Sequence, residues 1–221
     1  MNIRHHVSDE LLLSYAAGDL AEGWSLAVAS HLALCPECRG RLNLMEKAAG
    51  QLLEGIVPEP ATELSWEQMK DRITTGQQGR SGEPGPATTP ADATAILPEP
   101  LRSYLGGDAS SLKWRPLGRG AYHIAIPTAD GETKVRLLRI PAGKPVPEHS
   151  HGGRELTLVL SGSFYDGNNL FARGDLEEAD ASVTHQPVAT PDEDCICLAV
   201  TDAPLKFRSW LLRLVQPALG I

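Results

Sequence analysis

Apolar residues recur every three or four positions through the first third of the chain, a spacing typical of amphipathic helices. Ser8 stands directly before two acidic residues, as expected of an N-cap that is followed by negative charge in the first helical turn. Gly18 predicts where this first helix ends. The apolar side of the helix is predicted to consist of Leu11, Leu12, Tyr15 and Ala16.

Three further helices are predicted in the same part of the chain. The second spans about 22–34, where the apolar residues keep the helical spacing. The third begins at Pro36, a residue suited to a first turn, and continues to about residue 54. The fourth is expected over 65–74, because Ser65 and Gln68 have the spacing of a capping box.

Residues 76–100 interrupt this pattern. The stretch contains five prolines and four glycines and shows no sustained period, which is typical of a flexible linker. We therefore predict a helical domain over 1–75 and a second domain over 101–221, joined by a linker over 76–100.

The second domain shows β patterning. Short runs of alternating apolar and polar residues are separated by turn sequences such as ADG, PAG and DGN. Several short strands at this spacing favour a sandwich or small β-barrel of the jelly-roll type, so the expected fold class is multidomain, α followed by β. The predicted strands are SLKWRPL, AYHIAIP, KVRLLRI, LTLVLSGSF, CICLAVT and LKFRSWLLRLV.

The formal charge of −8 is concentrated in the helical half. Residues 1–100 contain 7 Lys and Arg against 14 Asp and Glu, whereas residues 101–221 contain 13 against 14. Nucleic-acid binding depends on clustered Lys and Arg, so the helical half is a poor candidate for contact with DNA or RNA. Its acidic surface suits a basic protein partner.

The chain carries no pattern of a membrane protein. The longest uncharged run near the start, over 23–36, is too short to span a bilayer, and acidic residues interrupt any signal-peptide core. We therefore expect a cytoplasmic protein that does not bind membranes. In that compartment the four cysteines, at positions 35, 38, 195 and 197, favour metal ligation or thiol chemistry over a disulfide framework.

The stretch HLALCPECRG has the spacing of metal ligands. On a helix, His31 and Cys35 share a face, and Cys38 returns to the same side after one turn. A closed tetrahedral zinc site needs a fourth nitrogen or sulfur donor, and His5 or His6 can supply it, with His6 preferred. The competing interpretation is a pair of buried thiols beside a histidine on the helix surface.

This arrangement resembles the zinc-binding anti-sigma domain, whose pattern is a distant His followed by H-x-x-x-C-x-x-C. Carried over by position, the resemblance implies a structural zinc held by His6, His31, Cys35 and Cys38. It also implies that the helical domain wraps around an extracytoplasmic-function sigma factor and blocks its access to core RNA polymerase. A zinc-finger DNA binder is excluded because the half with the candidate zinc ligands is the acidic half.

A second group of candidate ligands lies in the β half. His149 and His151 are two residues apart and share a face of a strand, and Glu155 can return to them after the next turn. His185, on a later strand, completes a set of three imidazoles and one carboxylate. Such a set suits several divalent metals, and the residues alone do not identify the metal.

The spacing around these residues resembles the first cupin motif, G-x5-H-x-H-x3-E-x6-G, at every fixed position from Gly143 to Gly162. The second cupin motif matches only in part, with Gly174 and His185, because Val188 or Ala189 stands where the motif has its final Asn. The resemblance implies a metal-binding cupin barrel.

Three other residues of the β half carry candidate chemistry. Cys195 and Cys197 share a face of their strand, but their expected Cα separation lies at the limit of disulfide geometry. They are candidate redox thiols or, with equal weight, small buried strand residues. His123 is interpreted as a structural residue.

Together, the two motifs and the linker resemble ChrR-type anti-sigma factors over nearly the whole chain. The resemblance implies a protein that is not an enzyme and that binds one sigma factor, with structural zinc and a second divalent metal, expected to be zinc. It further implies a cupin domain that senses oxidative stress, such as singlet oxygen, and promotes release. The alternative is a metal-dependent cupin enzyme, a dioxygenase or an isomerase, with a helical appendage.

Overall fold

The computed structural model describes residues 2–58, 63–79, 95–118 and 120–208. Close contacts join the described residues of Met1–Met45 and Ala95–Ile221 into one compact unit, and those of Glu46–Thr94 into a second. None of the helices in these ranges combines the length and apolar composition needed to cross a membrane. The helices are α1 Asp9–Ala17, α2 Glu22–Leu34, α3 Pro36–Glu54, α4 Glu63–Gly79 and α5 Glu99–Leu105.

The first three helices begin and end as the sequence predicts. The Ser8 side chain accepts a hydrogen bond from the Leu11 N–H, and Gly18 ends α1 in the left-handed conformation, with φ of 74°. A fourth helix is present as predicted, but it spans Glu63–Gly79 instead of 65–74. The predicted N-cap at Ser65 is therefore wrong, because Ser65 lies inside the first turn.

Helix α5 was not predicted. Its N-cap is Pro98 and a further proline lies in its first turn, where the missing N–H costs no hydrogen bond. The same prolines had indicated a linker, which explains the miss. Residues 76–79 and 99–100 of the predicted linker are helical, while 80–94 lie outside the described residues. The division into domains at 75 and 100 stays a prediction.

The β half contains twelve short strands in the described residues. They form a six-stranded sheet in the order β1-β2-β3-β11-β5-β8 and two three-stranded sheets, β10-β6-β7 and β12-β4-β9. The predicted jelly-roll-like architecture is confirmed, although the part of LKFRSWLLRLV beyond residue 208 lies outside the described residues. The strands are β1 Arg115–Gly118, β2 Ala121–Ile126, β3 Lys134–Ile140, β4 His149–His151, β5 Glu155–Ser161, β6 Ser163–Asp166, β7 Asn169–Ala172, β8 Leu176–Ala179, β9 Thr184–His185, β10 Val188–Ala189, β11 Cys195–Thr201 and β12 Leu205–Phe207.

The two faces of β11 have different environments. Ile196, Leu198 and Val200 belong to the main hydrophobic core, which also contains residues of α1, α2 and α5. The alternate residues of β11 are small and line a cavity inside the barrel. The main core therefore lies between the helices and the outer face of the large sheet, and the barrel interior is left partly open.

Helix α2 lies very close to the sheet. A Cβ atom added at Gly23 would collide with the side chains of Thr133 and Val135 at the start of β3. The glycine is required at this position because the helix and the strand approach too closely for any side chain. The first helices thus pack directly on the barrel.

Candidate metal centres

Four residues from three segments meet at the junction of α2 and α3. Their candidate ligand atoms all lie within 4.8 Å of one another, and we call them the helical group: His6, His31, Cys35 and Cys38. His6 precedes α1, and the two cysteines flank the start of α3. The structure thus brings together the residues that the anti-sigma resemblance implied.

The distances within the helical group fit a tetrahedral ion. The His31 Nε2 to Cys38 Sγ distance is 3.3 Å, and His6 Nδ1 lies 3.4 Å from Cys35 Sγ and 3.5 Å from Cys38 Sγ. Zinc–sulfur bonds of about 2.3 Å and zinc–nitrogen bonds of about 2.0 Å, at tetrahedral angles, would separate these atoms by about 3.5 Å. The donor set and its dimensions therefore fit zinc.

His5 lies outside the helical group. Its ring contacts that of Phe171, with centroids 4.2 Å apart. Its backbone carbonyl accepts a hydrogen bond from the Leu176 N–H on the barrel, at 3.1 Å. Of the two histidines that the spacing left open, the structure therefore directs His6 towards the cysteines.

The environment of the helical group favours neutral ligands when no cation is bound. Burial lowers the pKa of His31 to about 4, and burial together with Cys35 raises the pKa of Cys38 to about 11. A cation at this site must displace protons from the thiols, so its binding depends on pH. Glu37 lies 3.4 Å from His6 Nε2 and can orient that imidazole.

A second cluster of imidazoles lies in the barrel. We call His149, His151 and His185 the barrel group, since each offers a ring nitrogen to one centre. His185 Nε2 lies 3.0 Å from His151 Nε2 and 3.2 Å from His149 Nε2. The strands explain this arrangement. His149 and His151 are two residues apart on β4 and share one face of it, and His149 pairs with His185 of β9.

Hydrogen bonds on the far side of two rings orient the barrel group. His149 Nδ1 donates to the Pro147 carbonyl at 2.8 Å, and His185 Nδ1 lies 2.8 Å from Asp166 Oδ2. Both contacts leave Nε2 directed at the centre, as in metal sites with ordered histidine ligands. The imidazoles therefore fit a divalent metal.

Glu155 is adjacent to the barrel group but is not one of the three residues whose ligand atoms cluster there. Its Oε2 lies 3.4 Å from His151 Nδ1, and its Oε1 accepts a hydrogen bond from Thr157 Oγ1 at 2.9 Å. Ligation by Glu155 stays a prediction.

Sequence reasoning missed two carboxylates beside the barrel group. Asp166 and Glu177 form a second cluster with His185, in which burial and the neighbouring Asp166 raise the pKa of Glu177 to about 8. They lie on β6 and β8, outside the fixed positions of the cupin motif. Only the strand pairing brings them to this site, so no sequence spacing indicated them.

The barrel encloses a cavity of about 1160 Å³ next to this group. His149, Glu155 and Glu177 line it, as do Cys195 and Cys197. A hydrogen bond with Cys195, together with burial, raises the pKa of the Cys197 thiol well above its usual value. Cys197 is therefore protonated at neutral pH and is a weak nucleophile in this state.

His123 is not one of the residues that line the cavity, although its neighbour Arg136 is. Its Nδ1 is 3.4 Å from the Arg136 guanidinium, and burial, with the charges of Arg136 and Arg115, lowers its pKa. This environment is consistent with the structural role predicted for it.

Comparisons of the sequence and of the structure with known proteins give one family. Residues 104–204 match the family described as the ChrR cupin-like domain. The anti-sigma-E factor ChrR of Cereibacter sphaeroides is 48% identical over 217 residues, which are 98% of each chain. A chain in the crystal structure of Rhodobacter sphaeroides SigE in complex with the anti-sigma ChrR superposes with a TM-score of 0.74, at 42% identity, covering 91% of this chain and 100% of that one. The chain therefore belongs to the ChrR anti-sigma family.

Proposed function

We propose that this chain is an anti-sigma factor that binds one extracytoplasmic-function sigma factor and covers its polymerase-binding surfaces. Family membership supports this function, because a relative of this length is named an anti-sigma factor and a solved relative is in complex with a sigma factor. The same comparisons favour this function over the cupin enzyme considered above.

The observation that carries the proposal is a set of exposed apolar side chains in the second compact unit. Trp66, Met69 and Ile73 recur at helical spacing on one side of α4 and are 59%, 49% and 51% exposed. We call these three residues the α4 stripe. An amphipathic helix with its apolar side uncovered is typical of helix-in-groove recognition.

The end of α3 and the residues after it add to this apolar surface. Leu52 is 76% exposed and Val57 is 87% exposed, with Leu53 and Ile56 also exposed. These residues belong to the acidic part of the chain, and acidic residues around apolar anchors suit a partner with a basic surface.

The helical group would act as a structural zinc site. Its four protein donors complete a tetrahedral shell, which leaves no open position for a substrate. Metal bound there would fix the end of α2, the start of α3 and the segment before α1 in one arrangement. The surface presented by the following helical residues would depend on that arrangement.

The barrel group would hold a second divalent metal and take part in sensing oxidative stress, singlet oxygen being one candidate signal. A metal bound there would have three imidazole ligands and therefore at least one position open to Glu155 or to an incoming molecule. The adjoining cavity gives small oxidants access to this centre and to Cys195 and Cys197. Oxidation would promote release only if the altered state binds the sigma factor more weakly.

The α4 stripe provides a direct test. The full chain is co-expressed with the sigma factor encoded nearest to its gene, and the dissociation constant is measured for the wild type and for a Trp66→Ala, Met69→Ala, Ile73→Ala variant. We expect the affinity to fall by about a hundredfold or more, since central apolar anchors dominate such interfaces. Gln68→Ala, on another side of the same helix, is the matched control. Undiminished binding by the triple variant would contradict the proposed interface.

A further inference from the structure

The segment before α1 pairs with the edge of the large sheet. Among the strands of the described residues, β8 is the last in that sheet, so one of its sides has no strand partner there. Asp175, immediately before β8, accepts hydrogen bonds on Oδ1 from the Arg4 N–H at 2.6 Å and the His5 N–H at 2.9 Å. The Leu176 N–H in turn donates to the His5 carbonyl at 3.1 Å. The N-terminal segment thus covers an otherwise open strand edge.

The Asp175 carboxylate is fully engaged in these contacts. Its side chain is buried and its second oxygen, Oδ2, accepts a hydrogen bond from the Ala172 N–H at 2.9 Å. Burial alone would raise the pKa of Asp175. The hydrogen bonds from the three N–H groups lower it by more than burial raises it, so the pKa lies below its ordinary value. Both oxygens of an ionised carboxylate are therefore needed to satisfy the three donors.

These contacts surround a candidate metal ligand. His6 directly follows His5, and on its other side the Ser8 N–H donates to Glu178 Oε1 on β8 at 2.8 Å. His6 is also the one member of the helical group that does not come from the α2–α3 region. Its position relative to the two cysteines is therefore set by the barrel rather than by the helices alone.

We propose that Asp175 is a positioning residue for the helical group, and that β8 connects this group with the barrel group. The same strand carries Glu177, whose carboxylate lies 3.9 Å from His185 Nδ1. Neighbouring residues of one short strand thus contact the segment that holds His6 and a histidine of the barrel group. This proposal rests on the metal binding proposed above for the two groups, and not on the binding of a sigma factor.

Physical linkage follows from this shared strand. If a change in the barrel group shifts β8, the energy of holding His6 beside the cysteines changes with it. Coupling of this kind is reciprocal, so occupancy of either group would alter the metal affinity of the other. The contacts available for this coupling begin with the 3.9 Å approach of Glu177 to His185. They continue along β8 to the hydrogen bonds that hold Arg4, His5 and Ser8 on either side of His6.

The positioning role is tested by zinc release from the full chain to a chromogenic chelator. The reference chain and every variant carry His149→Ala and His151→Ala, so that only the helical group holds zinc tightly. Arg4→Pro removes one N–H donor without altering the barrel, and Arg4→Ala, which keeps that N–H, is its matched control. Asp175→Ala is compared with Asp180→Ala, which removes an exposed carboxylate that accepts a hydrogen bond from the Ser182 N–H instead.

We expect Arg4→Pro and Asp175→Ala to accelerate zinc release by about tenfold or more, as for other residues that orient metal ligands, with both controls within about twofold of the reference. Release at the reference rate from Arg4→Pro would overturn the positioning role. If Asp175→Ala does not fold, as judged by circular dichroism, the two Arg4 variants decide the question. Because no sigma factor is present, this assay can fail while the proposed function stands.

The coupling is tested by hydrogen exchange of the amides of residues 5–8 in the zinc-loaded full chain. We expect His149→Ala to change their protection by several-fold when residue 4 is Arg, and to have little further effect in the Arg4→Pro background. If His149→Ala changed the protection equally with Arg4 and with Arg4→Pro, the two substitutions would act independently, which would contradict a connection through β8.

Discussion

The helical group and the barrel group differ in how many ligands the protein offers to a bound metal. The helical group combines two thiols with two imidazoles, and its four donors leave no position for another molecule. The barrel group offers three imidazoles beside a cavity of about 1160 Å³ and is surrounded by carboxylates. On the proposed function, a metal in the first group would stabilise the fold, whereas a metal in the second would remain accessible to other molecules. Loss of each should therefore have a different consequence.

The largest expected effect comes from removing the thiols of the helical group. A Cys35→Ala, Cys38→Ala variant should lose one of two metal ions per chain and its sigma-factor binding, because zinc binding in such sites contributes on the order of 10 kcal/mol to folding. Metal analysis and co-purification measure both losses. A Cys195→Ala, Cys197→Ala variant is the control and should keep both metals. Silencing of the sigma factor by the first variant would contradict a structural role.

The barrel group should show the opposite behaviour. In a His149→Ala, His185→Ala variant we expect loss of the barrel metal and of the response to oxidant, with sigma-factor affinity within about threefold of the wild type. The physical reason is that the α4 stripe and the helical group contain neither residue. The titration is done with zinc in excess, so that the coupling through β8 does not empty the helical group. Titration of the purified variant with its sigma factor measures the affinity, and a large loss of binding would remove the distinction between the two centres.

Asp166 should tune the barrel group without belonging to it. Asp166→Asn weakens the partner of His185 Nδ1 and is expected to lower metal affinity at this group by about ten- to a hundredfold. Competition with a fluorescent chelator gives the affinity, and Asp192→Asn, at an exposed position, is the control. Equal affinity in both variants would show that the hydrogen bond has no orienting role.

The smallest expected effect is a change with pH in the rate at which a cavity-lining thiol is alkylated. Because the pKa of Cys197 is raised, its reactive thiolate forms only above the usual thiol range, and alkylation should be slow at neutral pH and accelerate as the pH increases. Mass spectrometry after iodoacetamide treatment between about pH 7 and pH 10 follows this rise. Rapid alkylation of Cys197 at neutral pH would contradict the raised pKa and favour a thiolate sensor.

Local signals in the sequence were sufficient for the bounds of the first three helices. Ser8, Gly18 and Pro36 mark helix ends through their own backbone chemistry, so the bounds of α1, α2 and α3 were predictable. Helix α5 was missed because prolines mark both loops and first turns. A single sequence does not separate those two roles.

The candidate centres were predictable to the extent that their residues lie close in sequence. His31, Cys35 and Cys38 follow from helical spacing, and His149 and His151 from strand alternation. By contrast, Asp166 and Asp175 take their roles from strand pairing and from the covering of a sheet edge. Such contacts between distant segments leave no periodic signal, so they became visible only in the folded chain.

The most direct test of the account measures sigma-factor dissociation before and after exposure to singlet oxygen. Wild-type complex and His149→Ala, His185→Ala complex are compared by fluorescence anisotropy of the labelled sigma factor. We predict equal binding before exposure, release from the wild-type chain afterwards, and retention by the barrel variant. Equal release from both complexes would show that the barrel group is not the sensor and would contradict the proposed separation of a structural centre from a responsive one.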